Sequence, residues 1–206
     1  MTDPVKDTCE SLNLYESLSF CPGQSALPGL RNRGYAVQKA QISKFAQLPE
    51  ITAALKMSEA AVLVGDFEFF ADVKAFRIDV NDTASSLGSQ AQGEYPNQTY
   101  VDTLTFKYSG NNEAAAGFAR LVLNDELVFF VQMRDGKWRV VGNEAFSSRI
   151  KPAQESGSNV TDASGTTLEV TATSVAPAPF YRGKLCTVDG WLDCKTNVFT
   201  EEKPAA

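Results

Sequence analysis

The stretch LVFFVQMRDGKWRVVGNEAF, residues 127–146, limits what this chain can become more than any other. Two runs of apolar, β-branched and aromatic residues flank Asp135-Gly136, a dipeptide that suits a two-residue type I′ turn because both central positions need φ > 0. A β-hairpin is therefore expected. A two-residue turn would set Arg134 opposite Lys137, Met133 opposite Trp138, Gln132 opposite Arg139, Val131 opposite Val140, Phe130 opposite Val141 and Phe129 opposite Gly142. In that register one face carries Leu127, Phe129, Val131, Met133, Trp138 and Val140 and no charge. The other grades from Val128, Phe130 and Val141 to Gln132 and Arg139, and turns cationic beside the turn. A face dry at one end and wet at the other implies a neighbour, which makes Phe130 and Val141 candidates for a subunit contact.

The remaining segments supply a sheet for this hairpin to join. TYVDTLTFKYSG alternates, with Tyr100, Leu104, Phe106 and Tyr108 on one face and Thr103, Thr105 and Lys107 on the other. TTLEVTATSV sets Leu168, Val170 and Ala172 against a wet face of Thr167, Glu169, Thr171 and Thr173, and Pro177 and Pro179 end it. In residues 61–80 the apolar positions switch parity, so a bulge or turn is expected between Ala71 and Ala75. A first strand is predicted over Tyr35 to Ile42, and a short helix in LPEITAALKMSEAAV with Pro49 in its first turn. A second helix, over 112–123, has Asn111 or Asn112 as its cap, Glu113 at the positive end of its dipole, and Ala114, Phe118, Leu121 and Val122 as its apolar stripe.

Residues 81–97 and 147–165 hold few large apolar side chains and read as long loops, with Leu87 and Tyr95 free to reach a neighbour. CPGQSALPGLRNRG packs two prolines and three glycines, so residues 1–34 read as an irregular arm, in which LNLYESL is an apolar patch able to dock on a sheet edge. CTVDGWLDCKTN carries a second Asp-Gly turn inside a C-terminal appendage, 182–206, whose last residues EEKPAA are expected to be disordered. The whole reads as an α+β, mainly β domain over 35–181, a curled antiparallel sheet forming a sandwich or partial barrel with one flanking helix.

Composition removes several functions. The net charge is −6 and no basic cluster occurs, which argues against a protein that grips nucleic acid. There is no histidine, so the commonest general base and metal ligand are both missing. Cys9, Cys21, Cys186 and Cys194 fall in one pair per terminus, compatible with reduced thiols, a zinc site using all four, or disulfides formed late. No apolar run reaches the roughly 18 residues of a membrane helix, and MTDPVKDTCE lacks the layout of a signal peptide, so cytosolic synthesis is expected. Carboxylates at Asp66, Glu68 and Glu144 stand near strand ends, where a solvated surface explains them better than paired acid–base work. No enzyme activity, cofactor or metal is expected.

The block AAGFARLVLNDELVFFVQMRDGKWRVVGNEAF, followed by SGTTLEVTATSVAPAPFY, resembles the major tail tube proteins of long-tailed bacteriophages, and CPGQSALPGLRNRGY resembles their N-terminal segment. The resemblance spans most of Cys21 to Tyr181. It implies a structural virion protein, made and assembled in the host bacterial cytoplasm and resident in the virion tail. Hexameric rings would close their sheets into a β-barrel and stack into a tube through which DNA is ejected without specific binding. By position, 81–97 would be the stacking loop and 112–123 the outer helix. Lumen-lining candidates are Gln132, Arg139, Thr167, Glu169, Thr171 and Thr173, and inter-subunit candidates are Leu87, Tyr95, Phe130 and Val141. Partners would be further copies of the chain and neighbouring tail proteins: the tape measure, the terminator and, in a contractile tail, the sheath. A tail terminator, a capsid decoration protein and the inner tube of a contractile injection system remain the alternatives.

Overall fold

A computed structural model of the chain describes Tyr15, Leu18 and residues 27–52, 55–159 and 164–201. Cys9, Cys21, the arm's apolar patch apart from Tyr15 and Leu18, and residues 202–206 lie outside this set. Among the described residues the fold is mainly β, with antiparallel sheets that do not close into a barrel, and one α-helix.

The central sheet has five strands. They are β1 (Leu30–Gln38), β4 (Phe76–Asp79), β7 (Leu127–Met133), β8 (Trp138–Val141) and β11 (Phe180–Tyr181), in the order β11-β8-β7-β1-β4. A second sheet, in the order β5-β6-β10-β9, is built from β5 (Ser86–Gln92), β6 (Thr99–Tyr108), β9 (Arg149–Glu155) and β10 (Gly165–Ser174). Between the two lies one core, with Phe129, Val131, Val141 and Ile78 meeting Leu104, Phe106, Leu168 and Val170. The opposite face of the central sheet packs a second core. There Tyr35, Val128, Phe130, Trp138, Val140 and Tyr181 meet Phe67, Leu185 and Leu192. Phe67 immediately precedes β3 (Glu68–Phe69), which pairs with β2 (Ile42–Lys44) in a small sheet, and Leu185 and Leu192 come from another, built from β12 (Lys184–Thr187), β13 (Gly190–Asp193) and β14 (Val198–Thr200).

The hairpin forms, one residue out of the expected register. Phe129 pairs with Val141, Phe130 with Val140, Val131 with Arg139 and Gln132 with Trp138. Only Gly136 takes the left-handed conformation, at φ +90, and Met133 both donates to the Lys137 carbonyl and accepts from the Gly136 N–H. The loop is thus three residues long, a type I turn closed by a glycine bulge. The Asp135 carboxylate supports it by accepting from the Lys137 N–H at 3.0 Å. Because a one-residue slip moves a strand's side chains to the other face, Trp138 and Val140 join Phe130 in the second core rather than Phe129 in the first.

That second face is covered by the chain itself. The ring of Phe130 packs edge-on against Phe67 at 4.9 Å, and Trp138 lies 5.9 Å from Tyr35. At its polar end Asn197 accepts from both Gln132 Nε2 (2.6 Å) and Trp138 Nε1 (2.7 Å). Tyr35 reaches across to donate to Asp189 (2.8 Å), and burial together with that carboxylate raises its pKa to about 12. The segment expected to be an appendage is therefore a wall of the second core.

Other expectations are corrected in the same way. The first strand begins at Leu30, not Tyr35, and 81–97 is not a loop but contains β5, paired along its length with β6. Likewise 147–165 contains β9. Residues 48–52 and 55–62 hold only a short 3-10 turn at Met57–Glu59 in place of a helix. The helix α1 (Glu113–Val122) is present with Asn112 as its cap, accepting from Ala115 N–H at 2.8 Å. Its inward stripe has Ala115 and Val122 buried and Phe118 and Ala119 half-buried, while Leu121 is 75% exposed. The parity switch falls where expected, at a turn through Asp72 (φ +66) between β3 and β4.

Candidate assembly surface

The four-stranded sheet has one face in the first core and one face uncovered. Alternation decides which residues go where: Leu168, Val170 and Ala172 are buried, so Thr167, Glu169, Thr171 and Thr173 point outward. Cross-strand register carries that face over the sheet. Thr171 lies between Thr103 and Arg149, Glu169 between Thr105 and Lys151, and Thr167 between Lys107 and Ala153. Beyond them Ser86, Gly88, Gln90 and Gln92 of β5 lie opposite Thr105, Thr103, Val101 and Thr99. Gln92 ties the rows together by donating to Thr99 (3.2 Å) and Thr173 (3.4 Å). The result is a field rich in threonine hydroxyls, broken by Val101 and Ala153, in which Lys107, Arg149 and Lys151 face Glu169 and, at the end of β9, Glu155. The acid excess of the chain does not reside here.

Both margins of this sheet are open. Among the described residues β5 pairs only with β6, and β9 only with β10. Proline cannot donate to a ladder and sits in edge strands with its nitrogen turned outward. Pro152 lies opposite Leu168, so the even residues of β9 turn their backbone groups outward; Pro152 removes one donor from that margin and leaves Gln154 with its own.

Thr167, Glu169, Thr171 and Thr173 thus stand together on the open face. Gln132 and Arg139 do not join them. Gln132 is buried against Asn197, and Arg139 is half-buried, its guanidinium 4.3 Å from the Phe180 ring and donating to the carbonyls of Pro177 and Ala178. Phe130 and Val141 are fully buried in the subunit's own cores, because the slipped register and the C-terminal sheet cover them. Leu87 is half-buried against the first core, and Tyr95, at the tip of the β5–β6 hairpin, is 90% exposed. Sequence reasoning missed the contributions of β5 and β9. A weak signal was present in Arg-Ile-Lys at 149–151, where one buried isoleucine separates two exposed cations.

Beneath the open face, on the core side of β6, Asp102 is 1% exposed. Its Oδ1 accepts from Ser89 Oγ and from the Ala178 N–H (2.8 Å), while Oδ2 has no hydrogen-bond partner. Burial raises its pKa, and the two hydrogen bonds and nearby Arg139 draw it part of the way back. Ala178 itself is held at φ +27 between Asp102 below and Arg139, which binds its carbonyl.

A cleft of about 570 Å³ runs between the β3–β4 turn and the C-terminal sheet and includes Asp66, Glu68 and Trp191, whereas Glu144 lines a different cleft and accepts from Gln47 (2.8 Å). Among the described residues no three His, Cys, Asp or Glu side chains are grouped to hold a metal, and no helix is long and apolar enough to cross a membrane. Compared with known proteins, the chain matches no family model, no curated protein and no solved structure.

Proposed function

We propose that this chain is a self-assembling structural subunit of a phage tail tube, whose copies join edge to edge through their four-stranded sheets. The observation that carries the reading is a sheet anchored by one core, unpaired along β5 and β9 among the described residues, and mostly polar over its outer face. Unpaired edges of this kind template pairing with another chain, and a ring of such sheets leaves no edge exposed. Pairing β9 of one copy with β5 of the next turns the threonine face inward in every copy. The lumen would then be lined by hydroxyls with nearly balanced charge, which gives DNA phosphates no cluster of cations to hold. The phage tail enters through the resemblance of the hairpin and the segment after it; the open sheet supports assembly independently of that resemblance.

Purified protein is expected to form hexameric rings and stacked tubes in negative-stain micrographs and to sediment accordingly. Gln154→Pro removes a second outward donor from β9 and leaves the β9–β10 backbone bonds in place, losing only the side-chain bond from Gln154 to Thr166 (3.0 Å) that Gln154→Ala also removes, so relative to that control it should leave a folded subunit that no longer forms rings. A wild-type protein that stays monomeric at high concentration would overturn the proposal. Rings that never stack would favour a terminator or decoration protein.

A further inference from the structure

Away from the four-stranded sheet, a hollow of about 210 Å³ opens between the hairpin turn, the end of β11 and the β13–β14 turn. Lys137, Arg182 and Lys195 line it, and all three are exposed. Phe180 forms part of its floor, with the Arg139 guanidinium 4.3 Å from the ring adding a fourth cation nearby. Among the lining residues the one carboxylate is Asp135, and it already holds the Lys137 ammonium at 3.1 Å. Among the described residues no carboxylate comes within ion-pair distance of Arg182 or Lys195. On a chain of net charge −6, cations gathered around one hollow with so little acid beside them suit an anionic occupant.

We propose that the acidic N-terminal arm of the same chain lies across this hollow, its carboxylates on Lys137, Arg182 and Lys195. Residues 1–26 hold Asp3, Asp7, Glu10 and Glu16 against Lys6 alone, which is −3 of the chain's −6. The arm also leaves the fold beside the hollow. The Gly29 carbonyl accepts from the Arg134 N–H at 3.2 Å, next to the turn residues Asp135 and Gly136 that line the hollow. Glu16 is 11 residues before Leu27, a reach of up to about 36 Å when extended. The other terminus fits less well. From Asp193 and Val198 the strand β14 runs away from the hollow to Thr200 beside Trp191, and residues 202–206 hold one acid and one base. Tyr15 and Leu18, 88% and 92% exposed, take no part in the contact. Exposed ion pairs are weak singly and screened by salt, so the arm is held by several together and released as ionic strength rises. While held, it keeps other polyanions, nucleic acid included, out of the hollow. The contact needs no second copy and stands apart from the tube reading.

Carbodiimide treatment of the full chain, which joins a carboxylate to an amine it touches, tests the contact directly. At low salt, peptide mapping should find arm carboxylates linked to Lys137 and Lys195 and not to the equally exposed Lys74 and Lys151. The links should vanish at about 1 M salt, where the screening length is about 3 Å. A mixture of isotopically heavy and light protein should give links within one label only. Neutralising the arm with Asp3→Asn, Asp7→Asn, Glu10→Gln and Glu16→Gln should turn a protein that passes through heparin-agarose at low salt into one that is retained. Adding Arg182→Glu and Lys195→Glu should abolish that retention, whereas Lys74→Glu and Lys151→Glu, the same change of charge elsewhere on the surface, should not. Arm links spread evenly over the surface lysines, or a neutralised arm that gains no retention, would overturn the proposal. Links between heavy and light protein would overturn docking within one chain and assign the contact to a neighbouring copy. Presence or absence of rings in micrographs of the same samples bears on the tube reading alone.

Discussion

Asp102 is a carboxylate placed where the alternation of β6 calls for an apolar side chain. Its Oδ1 earns its place by fixing Ser89 of the neighbouring strand and the left-handed Ala178, but Oδ2 is buried without a partner. An acid whose folded-state pKa is raised holds its proton more tightly when folded. Its stabilising effect is therefore complete below the unfolded value of 3.8 and is lost as pH rises toward the folded value. Asp102→Asn keeps an acceptor for both hydrogen bonds and removes the buried charge. It should melt higher than wild type at pH 7, with the difference shrinking as pH falls toward the ordinary carboxylate range. Thermal melts across pH 3–8 check this; a lower melting temperature at pH 7 would mean that attraction from Arg139 outweighs desolvation. Gly136 makes a second local demand. Its φ of +90 is costly for any residue with a Cβ, so Gly136→Ala should cost about 1–2 kcal/mol in denaturant unfolding.

Among the elements, the C-terminal sheet departs furthest from expectation. Residues 182–206 read as an appendage because short strands between Asp-Gly and Lys-Thr-Asn signals show no long apolar run. Yet Leu185 and Leu192 are fully buried against Tyr35, Phe130 and Trp138. Leu192→Ala should therefore destabilise the whole chain by about 2–5 kcal/mol, as a core truncation does. An exposed appendage would lose less than 1 kcal/mol on this scale, so one equilibrium unfolding curve separates the two. The hairpin teaches the complementary point. Its existence was legible from Asp135-Gly136 and the flanking apolar runs, but its register was not, because the same dipeptide serves both a two-residue I′ turn and a three-residue loop ending in a glycine bulge. That ambiguity moved Trp138 and Val140 to the other face and made a covered surface look half open. β6 and β10 were readable from alternation, since each has one buried and one wet face. β5 and β9 were not. An edge strand with few large side chains carries the composition of a loop, and only its partner reveals it.

At the scale of the molecule, the candidate surface was half legible. Thr167, Glu169, Thr171 and Thr173 follow from the period of one strand, whereas joining them to Thr103, Thr105, Arg149 and Lys151 requires the register of three. Arg139 and Gln132 fell away because polar side chains in a strand can be satisfied inside a fold as well as by water, and sequence does not distinguish the two. The central sheet, buried on both faces, also separates two properties that assembling proteins often merge. The residues that carry stability lie in two cores closed by one chain, and the outward-facing side chains of the open face point away from both. If copies assemble as proposed, folding and polymerisation can be adjusted independently. Under that proposal the threonine field could be rewritten for a different passenger, wider or differently charged, while the melting point of the subunit stays where its buried leucines and aromatics set it.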